Sequence, residues 1–225
     1  MSQSSPAGGP LAMSSDEPET VPHAVRLLRQ GKVVVIPTDT VYGLAAAVDQ
    51  PTAIQRLYSL KGRPKVKAIP VLVSERSACE RIVAQFPDVA ISLADAFWPG
   101  ALTLILPARL DLPRALTSIA DDGTITVAVR LPDHELARAI IAGAGGAIGV
   151  TSANRSGQPP MLEASTVMRW RIGMPDAVVD GGPMRTSQPS TIVLALNNSI
   201  AVVREGAISS RDVCDVVNDG ARRLG

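Results

Sequence analysis

The stretch that most restricts the fold runs from Val33 to Arg63 and reads VVVIPTDTVYGLAAAVDQPTAIQRLYSLKGR. From Lys32 to Pro37 it is an unbroken β-branched run, the pattern of a strand buried on both faces. Such a strand has no solvent side, so its sheet must be covered twice. A hydroxyl-rich loop follows, then a helix carrying Ile54, Leu57, Tyr58 and Leu60, with Thr52 and Gln55 placed as a capping box. Lys61 and Arg63 close the segment, so neutral hydrogen bonders and two cations surround one loop. No carboxylate lies between Asp49 and Glu75, whereas Arg56, Lys61, Arg63, Lys65 and Lys67 all do. An acidic partner is therefore expected locally, although the whole chain has a formal charge of only +1.

The rest of the chain continues the theme of short strands and helices. Helices are predicted over Pro22 to Gln30, with Gly31 as the stop, and over Arg76 to Gln85, Asp88 to Phe97, Glu135 to Ile141 and Ala164 to Arg171. A last helix runs from Asp212, where Ser209 can cap. Strands are predicted at Ala68 to Val73, Ala101 to Leu106, Ile125 to Leu131, Ala147 to Ser152, Ala177 to Val179, Ser190 to Leu194 and Ala201 to Arg204. This interleaving implies an α/β, single-domain, open twisted mixed β-sheet flanked by helices, mixed because several connections are too short for crossovers. Residues 1–20 are rich in Ser, Pro, Gly and acidic side chains without periodicity, and are expected as a disordered tail before a domain at 21–225. Met13 is an alternative start.

Composition removes several function classes. Aromatic residues are only 3% of the chain, leaving few platforms on which unpaired bases could stack. Cys79 and Cys214 stand far apart with no Cys-x-x-Cys or Cys/His spacing, so two reduced structural thiols are expected. The N-terminus lacks the basic and apolar regions of a signal peptide, and the longest apolar run, Ala139 to Val150, is too short to span a bilayer. A cytoplasmic location is expected, in which the Asn154 and Asn197 N-x-S triplets carry no glycan. Ala142 to Gly149 reads AGAGGAIG, but it follows a helix instead of a strand and has the wrong glycine spacing for a dinucleotide fold. Neither GxxxxGK[ST] nor GxSxG occurs. His23 and His134 both read as residues at helix starts. No protein-ligated metal is expected, and any chemistry must rest on positioning and on cations that offset developing charge.

Four segments offer that chemistry. Pro37 to Gly43 follows the first strand; Thr126, Ala128 and Arg130 share one face of another. Thr151 to Gly157 follows a third, and Pro189 to Thr191 opens a fourth. With Arg130 and Arg204 as planar forks, they suit a small molecule bearing phosphate or carboxylate. Each segment alone also reads as ordinary turn and cap chemistry.

Taken together, these motifs resemble the YrdC-like threonylcarbamoyl-AMP synthases in their short form. The matching pieces are PTDTVYGLA at 37–45, KGRP at 61–64, WPGALTLIL at 98–106, VAVRLPDH at 127–134, TSANRSGQP at 151–159, PSTIV at 189–193 and VVREGAI at 202–208. The resemblance implies that L-threonine, bicarbonate or carbon dioxide, and ATP give threonylcarbamoyl-AMP and pyrophosphate, with Mg2+ carried by ATP. The product would feed a transferase complex acting on tRNA. Thr40, Arg130 and Ser190 then resemble threonine contacts, Lys61 and Arg63 ligands of the ATP phosphates, and Thr126, Ser152, Asn154 and Arg204 nucleotide contacts. Lys61, Arg63 and Arg130 are the expected catalytic cations. Leu72 stands where longer relatives carry His, and Pro160 where many carry Ser or Thr. The competing reading is a noncatalytic RNA-binding module using the basic 56–67 segment, and direct tRNA contact stays open.

Overall fold

The computed structural model describes residues 9–62, 64, 67–169, 173–184 and 186–224. Its strands are β1 (Leu11–Ser14), β2 (Val34–Ile36), β3 (Gly43–Ala47), β4 (Val71–Val73), β5 (Leu102–Pro107), β6 (Thr117–Ile119), β7 (Ile125–Arg130), β8 (Ala147–Ser152), β9 (Ala177–Asp180), β10 (Thr191–Leu196) and β11 (Ser199–Arg204). The helices are α1 (Thr20–Arg29), α2 (Pro51–Lys61), α3 (Asp88–Phe97), α4 (Glu135–Gly143), α5 (Ala164–Met168) and α6 (Ser210–Leu224). The strands form one mixed sheet in the order β1-β9-β2-β3-β8-β4-β7-β5-β10-β11, with β6 beside β7.

Strand alternation sends neighbouring side chains into different cores. Val33 and Val35 join a large cluster with Leu44, Val71, Leu104 and Val129 of the sheet, covered by Ile54 and Leu57 of α2, Leu93 of α3 and Val213 of α6. Val34 and Ile36 face the other way, into a cluster with Ala45, Leu72, Ile148 and Val150, covered by Leu28 of α1 and Ile140 and Ile141 of α4. Burying each such aliphatic side chain stabilises the fold by about 1.5–3 kcal/mol relative to leaving it exposed. The second cluster stops at β4. Beyond it, β7, β5, β10 and β11 are covered on one face, while the other carries Ala128, Ile105, Leu194 and Ala201 in register across four strands. These four side chains are half-buried or exposed.

Three expectations need correction. The disordered tail does not hold through residue 20: Leu11–Ser14 pairs in parallel with β9, and Met13 is buried in the second core. Four residues are too few to show a period in sequence. The predicted helix at Arg76 to Gln85 is a 3-10 helix over Arg76–Arg81, after which Val83 bridges Ala108 and the Ala84 N–H donates to Pro107 O at 2.9 Å. Sheet pairing at the end of β5 takes the backbone groups that a longer helix would need. The Thr52–Gln55 box does not cap α2; the helix starts on Pro51, whose fixed φ suits the first turn.

Two further strands escaped sequence reading. β6 is only three residues long. β3 reads Gly-Leu-Ala-Ala-Ala, a composition with weak strand preference. Its small residues answer to space: a Cβ at Gly43 would lie 2.5 Å from Val150 Cγ1. Within the glycine-rich 142–149 segment, Gly145 and Gly146, at φ +107° and +88°, turn the chain from α4 into β8.

Candidate active site

A cavity of about 170 Å³ opens on the second core's face, where the doubly covered half of the sheet meets the open half. Leu72 and Val150 form its aliphatic wall; Thr38, Thr40, Thr103, Arg130, Ser152, Ser190 and Arg204 supply its polar atoms. The loop after β2 folds over the sheet because Thr38 closes it: its hydroxyl donates to Val41 O at 2.6 Å and accepts from the Val41 N–H at 3.2 Å. The hydroxyl of Thr40 lies 3.2 Å from that of Thr38.

Arg130, on β7, is 6% exposed and spans the cavity. Its Nε donates to Gly100 O at 2.9 Å, Nη1 to Thr40 Oγ1 at 2.9 Å and Nη2 to Asp39 Oδ1 at 2.6 Å. Three of the five guanidinium N–H groups are thus used, and the fork is fixed in one plane.

On the far side, Ser190 stands at the entry to β10. Its hydroxyl lies 2.8 Å from that of Thr103, and Arg204 donates to Ser190 O at 2.6 Å. Arg204 itself is exposed.

Lys61 ends α2, where Gly62 adopts the left-handed φ of +60° and turns the chain away. Although cationic, it is only 4% exposed. Its Nζ donates to Ser152 O and Oγ, both at 2.8 Å, and to Asn154 Oδ1 at 2.5 Å. Ser152 donates in turn to Asn154 Oδ1 at 2.7 Å, and Asn154 Nδ2 donates to Gln158 O. The Ser156 N–H donates to Lys61 O at 2.8 Å, so the loop after β8 is tied to the helix end. These bonds satisfy a buried ammonium with oxygens that carry no formal charge.

The structure therefore brings together Thr40, Arg130, Ser152, Ser190 and Arg204 around the cavity, with Lys61 and Asn154 bonded to Ser152 at its margin. Thr126 does not line the cavity: it lies on the same face of β7 as Arg130, about 13 Å along the strand, and its hydroxyl donates to Ser118 O at 3.3 Å. Arg63 lies outside the described residues. Asp39 and Thr103 were passed over in sequence, Asp39 because a lone carboxylate in a turn reads as a cap, Thr103 because it sits in an aliphatic strand. The basic 56–67 segment is not one solvated surface. Arg56 pairs with Asp176 at 2.7 Å, and Lys61 points inward.

Two further titratable groups do no chemistry here. His134 caps α4, its Nδ1 accepting from the Ala137 N–H at 3.4 Å, and burial lowers its pKa. Burial pushes the Cys79 thiol up to about 12, so it is no nucleophile near neutrality. Among the described residues no group of three or more His, Cys, Asp or Glu gathers that could hold a metal ion, and no helix is long and apolar enough to cross a membrane.

Known proteins resemble this chain in sequence and in fold. The Sua5_yciO_yrdC family model, described as Telomere recombination, matches residues 26–206. A threonylcarbamoyl-AMP synthase of Bacillus subtilis is 37% identical over 205 residues, which cover 91% of this chain and 58% of the relative. A protein of the same name from Pyrococcus abyssi is 34% identical over 196 residues, covering 87% of this chain and 56% of the relative. The crystal structure of P. abyssi Sua5 complexed with L-threonine superposes with a TM-score of 0.83 at 32% identity, covering 92% of this chain and 60% of that one. The chain thus spans less than two thirds of the length of these relatives.

Proposed function

The chain belongs to the Sua5/YciO/YrdC family, and from that premise we propose that it is an L-threonylcarbamoyladenylate synthase. It condenses L-threonine, bicarbonate and ATP to threonylcarbamoyl-AMP, pyrophosphate and water, and the product goes to a transferase complex that modifies tRNA. The observation that carries this reading is the size and lining of the cavity. At about 170 Å³ it falls below the roughly 300–1,000 Å³ of drug-sized sites, so it fits an amino acid and leaves a nucleotide outside. The Pyrococcus relative bound L-threonine, which supports the same assignment.

In this reading the threonine carboxylate takes the two remaining Arg130 N–H groups, while Thr40 and Ser190 orient the rest of the molecule. Leu72 and Val150 offer the threonine methyl an apolar wall. ATP lies over the open half of the sheet, its base toward the Ala128–Ile105–Leu194 row and its phosphates toward Lys61 and Arg63. Magnesium arrives with ATP as part of that substrate, held by phosphates and water.

The amine of threonine attacks carbon dioxide or bicarbonate to form a carbamate, and the carbamate oxygen attacks the α-phosphorus as pyrophosphate leaves. Three anionic groups must then be held together. Lys61 exchanges its oxygens on Ser152 and Asn154 for phosphate oxygens and offsets the charge that develops there. No protein nucleophile is required. Purified chain given ATP should release pyrophosphate only when both L-threonine and bicarbonate are present. Release that ignores threonine would sink the reading; preferential use of another amino acid would redirect it to a different adenylating enzyme.

A further inference from the structure

The Asp39–Arg130 pair goes beyond anchoring a fork. We propose that Asp39 sets the charge of ligand this cavity accepts: paired with Arg130, it admits a zwitterionic amino acid and keeps phosphate groups out. The inference rests on the reading of the cavity as an amino-acid site.

A buried guanidinium facing two threonines and a serine would by itself suit phosphate as well as carboxylate. Phosphate is abundant in this reaction, on ATP and on the released pyrophosphate, so a cationic cavity beside the nucleotide would be blocked by its own co-substrate. Asp39 removes that hazard. Its Oδ1 accepts from Arg130 Nη2 at 2.6 Å, and the two side chains are only 14% and 7% exposed, so solvent screens the pair weakly. The pair has no net charge, yet the guanidinium keeps two N–H groups for a ligand carboxylate. A zwitterion brings an ammonium that balances its own carboxylate against Asp39; a phosphate group brings only negative charge. The surrounding groups do not undo this. Burial lowers the pKa of His134, which faces Asp39; Arg138 sits 3.7 Å from Asp133; and Arg204, the other cation lining the cavity, is solvent-exposed and donates to Ser190 O at 2.6 Å.

The test is calorimetric titration of the full chain with L-threonine, with and without a large excess of inorganic phosphate. Wild-type protein is expected to bind L-threonine with an affinity that phosphate leaves unchanged. Asp39→Asn keeps the oxygen acceptor and the volume but removes the charge. It is expected to bind L-threonine about tenfold more weakly and to lose it to phosphate. Asp39→Glu restores the charge and should restore the exclusion of phosphate, which a purely structural role for Asp39 would not require. Displacement of threonine by phosphate from the wild-type chain would overturn the inference, and this arm decides even if a variant fails to fold. Continued exclusion of phosphate by folded Asp39→Asn would overturn it too. A wild-type chain that binds no L-threonine in either buffer overturns the parent reading, and this inference with it.

Discussion

The two halves of the sheet obey one alternation rule and end in different states. In β2, β3, β8 and β4 both sets of side chains enter cores, because α1 and α4 cover one face and α2 the other. In β7, β5 and β10 one set is buried in the same way, with Ile200 and Val202 of β11 packed half-buried against it; on the opposite face the row Ala128, Ile105, Leu194 and Ala201 is half-buried or exposed, while Thr103 and Arg130 beside the cavity are buried. The polar residues Thr103, Arg130, Ser190 and Arg204 all belong to the second half or its entry loops. What separates the halves is that, among the described residues, no helix covers this second face, and the cavity lies on the seam. Packing is saturated on one side of that seam and available to a ligand on the other.

Substitutions should therefore divide by region. The largest effect is expected from Lys61→Ala at the margin of the seam. It should lower pyrophosphate release by about 10²–10³-fold and also lower Tm, since it strands buried oxygens on Ser152 and Asn154. Turnover within a fewfold of wild type would remove Lys61 from the site.

Next comes Gly149→Ala in the covered half, where a new Cβ would lie 2.6 Å from Ile54 Cδ1 and 3.3 Å from Leu116 Cδ2. Chemical denaturation should show a loss of about 1–3 kcal/mol with ligand binding retained in the folded fraction. An unchanged midpoint would show that this half has slack.

The mirror experiment is Leu194→Ala on the open face. There the stability loss should stay under about 1 kcal/mol, while the ATP KM rises about threefold to tenfold and the threonine KM stays put. A large stability loss with unaltered ATP kinetics would mean that this face serves the fold and not a nucleotide.

The smallest effect concerns His134. Its folded pKa lies below the ordinary 6.5, so the unfolded chain binds the extra proton first. Stability is then full above about pH 6.5 and declines as pH falls below it. His134→Gln should flatten that part of the Tm profile between pH 7 and 5, and an identical profile would assign the acid sensitivity elsewhere.

Sequence reasoning reached most of the architecture where patterns were long or chemically distinct. The β-branched run at Val33 to Ile36 and the helix that follows are both present, and Ser209 does cap the last helix through the Asp212 N–H at 3.1 Å. The motif residues Thr40, Lys61, Arg130, Ser152, Asn154 and Ser190 do converge, because strand and helix ends carried them as recognisable clusters. What escaped was decided by space and by long-range pairing. Nothing local in Gly43–Ala47 shows that a strand must fit between two others, and nothing local in Leu11–Ser14 shows β9 waiting beside it. Asp39 is the same lesson at the site: its role depends on a guanidinium 91 residues away.

The central claim is that the seam divides two ligands, amino acid in the cavity and nucleotide on the open face. It is tested most directly by titrating L-threonine and ATP separately into wild type, Arg130→Lys and Lys61→Ala. Arg130→Lys should lose threonine binding by about tenfold or more while keeping ATP, since a point charge cannot copy a planar fork. Lys61→Ala should weaken ATP and keep threonine. Both ligands lost together in either folded variant would contradict the division.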